Sequence, residues 1–352
     1  MTHLLVTGGA GFIGSAYVRD VLGRADGTRV TVLDKLTYAG NEANLGPVLD
    51  DPEQAARLRF VRGDIADPAT VGELVGEADA VLNFAAETHV DRSILEPQAF
   101  LVTNVIGVHT LLEAIRVQDR QDRKIRFVQV STDEVYGSIP EGRAGEDHPL
   151  HPRSPYAASK AAGELLARSY HVTYGIDAVI TRGSNTYGPF HHPEKLIPLF
   201  ITNALDDRPL PLYGDGLQRR DWLHVTDHAA AIDFVLRQGA SGETYNVAGG
   251  TELANRDTVE RLLAQLGKPW SLVRQVEDRP GHDRRYAMDG TRLAALGWSP
   301  AVSFDEGLAA TVDWYREHEA WWRAARDDDW DAYYERQYGH RLRDSVAAAG
   351  SD

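Results

Sequence analysis

The chain has 352 residues, 43% of them hydrophobic, enough to bury a large core across two lobes or one domain with a substrate-holding extension. Its 37 Lys and Arg against 52 Asp and Glu give a net charge of −15, which repels phosphate backbones and anionic bilayers and argues against nucleic acid or a membrane as partner. With no cysteine, disulfides, thiol nucleophiles and thiolate metal sites are excluded.

The N terminus enters the apolar run HLLVT at once, with no basic segment and apolar leader before it, so no secretion signal is expected. No run reads as long enough to span a membrane, and a cytoplasmic location is expected. Apolar, β-branched runs recur at 4–7, 30–33, 58–61, 80–84, 125–130 and 177–181, with helical patterns between several of them, notably 11–23, 98–118 and 156–174. That alternation predicts an α/β fold, a doubly wound Rossmann-type parallel sheet covered on both faces. After about residue 185, Pro, Gly and His interrupt the pattern in FHHPEKLIP and RPLPLYGDGLQ, and a smaller α/β substrate-binding lobe begins. The segment 224–238 then reads as a helix, and GETYNVAG as a strand returning to the main sheet. The expected division is a dinucleotide-binding domain over 1–185 with the return segment 222–250, a second lobe from 186–221 and 251–340, and a tail at 341–352. The aromatic, charged stretch 313–343 reads as surface helices docking their aromatic side on the body, with Asp327 to Asp329 solvated.

Directly after the first strand, TGGAGFIG contains Gly9-x-Gly11-x-x-Gly14 and equally Gly8-x-x-Gly11-x-x-Gly14. Glycine serves where the backbone turns tightly and must approach a pyrophosphate, whose charge then rests on a helix N terminus. The match follows a strand and opens a helix, and Asp34 ends the second strand 20 residues after Gly14. A carboxylate there accepts bonds from the adenosine ribose hydroxyls and repels a 2′-phosphate, so NAD is expected as cofactor in preference to NADP. Lys35 beside it argues the other way.

Further on, SPYAASK puts Tyr156 and Lys160 at i and i+4, on one face of a helix start. A free phenol titrates too high for an efficient base at neutral pH. A nearby ammonium and a positive nicotinamide ring are expected to bring Tyr156 into range. An isolated Y-x-x-x-K is more often a surface pair, and only its place after a dinucleotide fingerprint and the Thr132 strand end promotes it.

LVTGGAGFIGS, DKLTYAGN, AAETHVDRSI, STDEVYG, SPYAASK, PEKLIPLFI and DRPGHDRRYA together resemble the extended short-chain dehydrogenase/reductase family and, more closely, its dTDP-glucose 4,6-dehydratases. The resemblance runs in order from about residue 3 to 315, leaving out the last 35 or so residues and the insert around 137–152. Many relatives share the glycine and Tyr/Lys motifs; the Thr132-Asp133-Glu134 run is far more specific to the dehydratases. Ser131-x-x-Glu134 also fits a capping box, but Gly137 follows so soon that no helix is expected to be capped.

Removing water from a hexose demands an oxidation first, because an unactivated C5 hydrogen is too weak an acid for any carboxylate. The resemblance implies that Tyr156 takes the C4 hydroxyl proton as hydride passes to NAD, with Thr132 on the same oxygen and Lys160 holding Tyr156 ionised. It further implies Glu134 as the base at C5 and Asp133 as the acid at the C6 hydroxyl, two carboxyls whose environments must separate their pKa values. It places Phe12 and Ile13 behind the glycine loop, Lys35 and Thr37 near the ribose, and Asp64 and Ile65 at the adenine. Phe84, Ala85, Ala86, Thr88 and Thr103 then lead towards the nicotinamide.

For the substrate, dTDP-glucose by resemblance, the second lobe concentrates basic groups in short motifs, and guanidinium groups bind diphosphate oxygens in pairs. Arg220 and Arg279 are the expected pyrophosphate ligands, with Thr88, Asn185, Lys195, Leu196, Pro211, Tyr213, Asn255, His282 and Tyr286 also on substrate motifs. Arg219 and Arg285 could equally be solvated pairs. His191 and His192 are adjacent with no carboxylate at ligand spacing, so no metal is expected. In this family the helices 98–118 and 156–174 pair across a homodimer as a four-helix bundle, which is expected here. Rival readings are a UDP-sugar 4,6-dehydratase, a 4-epimerase sharing the first hydride step, or a NAD-binding regulator without catalysis.

Overall fold

The computed structural model describes residues 2–119 and 123–343. Seven strands form one parallel sheet: β1 (His3–Thr7), β2 (Arg29–Asp34), β3 (Leu58–Arg62), β4 (Ala80–Asn83), β5 (Arg126–Thr132), β6 (Ala178–Gly183) and, later in the chain, β10 (Thr244–Val247). Their order across the sheet is β3-β2-β1-β4-β5-β6-β10. The order reverses direction between β1 and β4, which opens a crevice at their C-terminal ends, where doubly wound sheets bind ligands. The strands are apolar throughout because both faces are covered. The helices Phe12–Leu22 and Val225–Gln238 pack on one face, with Tyr17, Val18, Val21, Ile232 and Val235 buried. The helices Pro68–Glu77, 97–119 and Pro155–Tyr174 cover the other, with Leu74, Leu111, Leu112, Ile115 and Ala167 buried.

After β6 the chain leaves this sheet. β7 (Asn185–Tyr187), β9 (Arg219–His224) and β11 (Thr251–Ala254) form a three-stranded sheet, and β8 (Leu210–Tyr213) pairs with β12 (Val273–Val276). Against them lie the helices Leu196–Leu205, Asn255–Leu266 and Phe304–Glu317 around a separate apolar cluster of Phe200, Ile201, Leu262, Leu308 and Tyr315. The aromatic tail belongs to that cluster: Trp322, Trp330, Tyr334 and Tyr338 are buried in it. Asp327 is not simply solvated, since its side chain accepts the Trp330 N–H at 2.9 Å and caps the helix Asp328–Tyr334. Residues 344–352, most of the expected tail, lie outside the described residues.

The helical stretch 97–119 departs from expectation in two ways. Its middle, Val102–Gly107, widens to a π-helical turn, a local irregularity that often sits beside functional sites. It also holds an 18-residue window of mean hydropathy 1.4, so by length and composition it could cross a membrane. Phe100, Val108, Leu111, Leu112 and Ile115 of this stretch are buried in the protein, whereas Leu101, Val102, Ile106 and Val117 are exposed. It is a core helix with an uncovered apolar side, and Leu165 and Val172 of the neighbouring helix are exposed as well.

Candidate active site

A cleft runs along the C-terminal ends of the main sheet. At one end the loop after β1 bends at Gly8, whose φ of +69° favours glycine and whose added Cβ would lie 2.5 Å from the Ala85 nitrogen. A Cβ on Gly14 would meet the Gly8 carbonyl oxygen at 2.2 Å. The loop is thus closed to side chains from behind, and Gly8, Gly11 and the start of the helix Phe12–Leu22 line the cleft, a cradle suited to a pyrophosphate. Asp34 is buried at the end of β2, and its carboxylate accepts the Ala10 N–H at 2.9 Å and the Leu36 N–H at 2.8 Å, which leaves lone pairs for ribose hydroxyls. Lys35 is engaged by Asp64 at 2.7 Å, so its charge is not free for a 2′-phosphate. The residues present therefore fit NAD.

At the end of β5, Thr132 accepts the Glu134 N–H at 3.3 Å and caps a single 3-10 turn, Asp133–Tyr136, that Gly137 ends with φ +70°. A short helix does exist here, contrary to expectation, but Thr132 caps it and the Ser131 hydroxyl has no partner among the described residues. The turn aims two carboxyls into the cleft. Asp133 is buried and accepts the Thr132 hydroxyl at 3.2 Å; burial and then the charge of Glu134 push it well above the ordinary carboxylate range. Glu134 is half-buried, and although burial raises it too, Arg279, Lys195 and Arg220 favour its ionised form. Burial and the neighbouring Glu134 charge thus favour the protonated form of Asp133, whereas three cations favour an ionised Glu134.

Tyr156 opens the helix Pro155–Tyr174 behind the Ser154 cap and is buried against the same turn. Burial and then Glu134 raise its phenol, while Thr132 lowers it. Lys160, one turn on, donates its ammonium to the Val130 carbonyl at 2.7 Å, and burial lowers it to about 8. One ammonium hydrogen of Lys160 is thus spent on the backbone of β5, one turn along the helix from Tyr156.

Beyond Glu134 lies a second cluster from the other lobe. The Tyr286 hydroxyl, with one hydrogen to give, lies 3.0 Å from an Asp283 carboxylate oxygen and 3.3 Å from one of Glu134, and the Arg220 guanidinium sits 4.2 Å over the Tyr286 ring. Arg279 pairs with the buried Asp91 at 2.8 Å, and His282 contacts Asp278 at 2.6 Å and the ring of Tyr213. Arg219 and Arg285 both bind Glu252, at 2.5 and 2.7 Å, and Arg284 binds Asp215 at 2.7 Å, so these three arginines are spent on carboxylates.

The family model described as GDP-mannose 4,6 dehydratase matches residues 5–311. A dTDP-glucose 4,6-dehydratase of Streptomyces niveus is 53% identical over 93% of this chain and 96% of its own length. The chain belongs to the dTDP-glucose 4,6-dehydratase family. The crystal structure of DesIV, the family member of Streptomyces venezuelae solved with NAD and dTDP bound, superposes with a TM-score of 0.87 at 54% identity, covering 92% of this chain and 99% of that one. A UDP-glucose 4-epimerase of Thermus thermophilus, in complex with NAD, shares the fold at a TM-score of 0.81 and 35% identity, over 90% and 99% of the two chains.

Every residue expected at the cofactor lines the cleft, from Gly8, Gly11 and Gly14 through Phe84 and Thr103 to Lys160. Of the expected substrate residues only Thr88, Asn185 and Lys195 do so. Arg220, Tyr213, Arg279, His282 and Tyr286 form the adjoining cluster, Pro211 sits in β8, and Leu196 and Asn255 begin helices of the second lobe. The sequence did not single out Glu87, Thr186, Glu194 or His228, which also line the cleft. His191 and His192, considered only as metal ligands, line it too; His191 stacks on Phe12 at 4.0 Å and His192 packs edge-on to Tyr38 at 5.6 Å. Glu194 anchors that loop: burial opposes its charge, yet the surroundings hold it at about 2. His89, lowered to about 4, is neutral at pH 7, so the Arg92 contact at 2.9 Å carries the ion pair. These positions are far apart in sequence, and the PEKLIP and HVDRSI motifs were the available signal.

Proposed function

We propose that this chain dehydrates dTDP-glucose to dTDP-4-keto-6-deoxyglucose with NAD as a cofactor regenerated in each turnover. The observation that carries it is the pair Asp133 and Glu134, set on one turn beside Tyr156 with unlike surroundings. Epimerisation at C4 needs no acid and base at C5 and C6, so the pair favours dehydration over the 4-epimerase reading.

The glycine loop would hold the NAD pyrophosphate and Asp34 its ribose, and the bound dinucleotide would supply the acceptor for the C4 hydride and its return to C6. Tyr156 removes the proton of the C4 hydroxyl while Thr132 hydrogen-bonds that oxygen, which leaves a ketone that acidifies the C5 hydrogen. Because burial raises the Tyr156 phenol, it ionises only with added positive charge alongside, which the oxidised cofactor brings. Glu134 takes the C5 proton. Asp133, kept protonated by burial, gives its proton to the C6 hydroxyl, water departs and a C5–C6 double bond forms. After hydride returns to C6, Glu134 reprotonates C5, and the proton that Tyr156 took up balances the one Asp133 released.

The segments 186–221 and 251–340 are proposed as the nucleotide-sugar lobe, with Arg220 and Arg279 at the diphosphate, and residues 1–185 and 222–250 as the NAD domain. The exposed apolar sides of 97–119 and Pro155–Tyr174 support a homodimer through a four-helix bundle. A free nucleotide-sugar substrate and a chain without cysteine suit the reducing cytoplasm. Incubation with dTDP-glucose and UDP-glucose side by side tests the proposal: a product lighter by one water from the thymidine sugar is expected. An unchanged mass that interconverts C4 epimers refutes it. Deuterium at C4 is expected at C6 of the product, and its exchange with solvent would count against internal return.

A further inference from the structure

We propose that Asp91 is a positioning residue for Arg279, and that the C-terminal segment takes part in the substrate site by holding Asp91 through Gln337. The inference rests on Arg279 being a ligand of the nucleotide-sugar diphosphate.

Asp91 lies in the first turn of the helix Val90–Leu95 and is 3% exposed. A carboxylate so buried persists only with partners. It has three, from three distant parts of the chain. Arg279 Nη1 donates to Oδ1 at 2.8 Å, the Tyr213 hydroxyl donates to Oδ2 at 2.9 Å, and Gln337 Nε2 donates to Oδ2 at 3.1 Å. Gln337 Nε2 also donates to the Tyr213 oxygen at 2.6 Å. The protons balance: the amide spends both hydrogens, the phenol spends its one and accepts another, and the carboxylate only accepts.

The manner in which Arg279 is held sets it apart. Arg285 grips Glu252 through Nε and Nη2, and Arg284 grips Asp215 through Nη1 and Nη2, each spending a whole edge of the guanidinium. Asp91 takes Arg279 by Nη1 alone, and the Arg279 Nε–H is buried with no partner among the described residues. The Nε–Nη2 edge is therefore not spent on a carboxylate, and that edge matches two phosphate oxygens once the substrate seats against it. One charge orients the arginine while its other edge is left unspent.

The segment 328–343 closes around this arrangement. Gln337 and Tyr338 are buried, the Tyr338 ring lies 5.9 Å from that of Tyr213, and Tyr333 meets His89 at 3.2 Å, two residues before Asp91. The family match ends at residue 311, so this contribution lies beyond its reach.

The test measures dTDP binding by calorimetry and steady-state kinetics on the full-length, NAD-loaded protein, with bound NAD and melting temperature recorded for each variant. Asp91→Asn and Gln337→Leu are each expected to weaken dTDP binding and raise KM by about tenfold, with kcat and bound NAD near the parent's. Combined with Arg279→Ala, neither should add its full effect, since both act through Arg279. Normal dTDP affinity in Gln337→Leu and Asp91→Asn, beside weakened affinity in Arg279→Ala, overturns the inference; so do fully additive double variants. Normal affinity in Arg279→Ala itself overturns instead the assignment of Arg279 to the diphosphate. If Asp91→Asn does not fold, Gln337→Leu decides.

Discussion

Gly14→Ala adds one methyl to the glycine loop and makes a sharp test of how the cofactor is held. The new Cβ would stand 2.2 Å from the Gly8 carbonyl oxygen, 2.9 Å from its carbonyl carbon and 3.0 Å from the Gly9 Cα, all of them backbone. Relief requires a displacement of roughly 1 Å, since attractive contacts begin well beyond 3 Å. The loop has nowhere to retreat. Gly8 donates its N–H to Leu33 at 2.9 Å and is backed by Ala85, and Gly11 and Ser15 are tied to the loop's own carbonyls at 3.1 and 2.9 Å. The loop must instead move into the pyrophosphate cradle, at the usual overpacking cost of about 1–3 kcal/mol. Charged to cofactor binding, that is roughly a 5- to 150-fold weaker Kd. The assay is the dinucleotide released by acid from purified protein, with melting curves at rising NAD. Gly14→Ala should carry less than one NAD per chain and gain Tm steadily as NAD is added, by mass action. Gly72→Ala, within the helix Pro68–Glu77 with nothing within 4 Å, is the matched control and should be neutral or slightly stabilising. Full NAD content and an unchanged melt in Gly14→Ala would refute the cradle.

Glu134→Gln should lower turnover by about 10²- to 10⁴-fold while C4 oxidation persists, so reduced nicotinamide absorbance should build up on adding dTDP-glucose; its absence removes Glu134 from the C5 step. Burial lowers His228 to about 4, so its imidazole is neutral in folded and unfolded chains above pH 6.5, whereas between 6.5 and 4 only the unfolded chain binds the proton and stability falls. That one group removes up to about 3 kcal/mol, and His228→Asn should flatten the acid limb of urea midpoints measured with excess NAD; an identical limb counts against it. Arg220→Ala should weaken dTDP binding about tenfold or more by calorimetry, and Arg284→Ala, which loses only an exposed pair with Asp215, should barely change it. Leu165→Glu with Ile106→Lys should shift light scattering from two chains to one, and an unchanged mass would place the interface elsewhere.

What was legible in the sequence was local. Strands such as 125–130 showed because covering both sheet faces demands an unbroken apolar run, and the glycine loop because backbone approach permits no substitute. The motif TDEVYG gave both carboxyls, but not that Asp133 is the more enclosed, which depends on packing from elsewhere in the chain. Lys160 was expected to face Tyr156, and helical spacing does put them on one side; the Val130 carbonyl, unseen in any local pattern, takes the ammonium. Lys35 argued against NAD until Asp64, from the next strand connection, was found to engage it. Asp91 and Arg279 stand 188 positions apart, and nothing in either neighbourhood names the other.

β10 lies at the edge of the main sheet, yet the strands on either side of it in the chain, β9 and β11, pair with each other in a different one. The polypeptide thus threads out, back and out again, so no single cut separates the two halves of the molecule. A chimera made by one crossover would strip the large sheet of its last strand or strand the small sheet without its centre. Engineering a new sugar preference onto this scaffold therefore calls for grafting two separate segments at once, and natural recombination between relatives faces the same barrier.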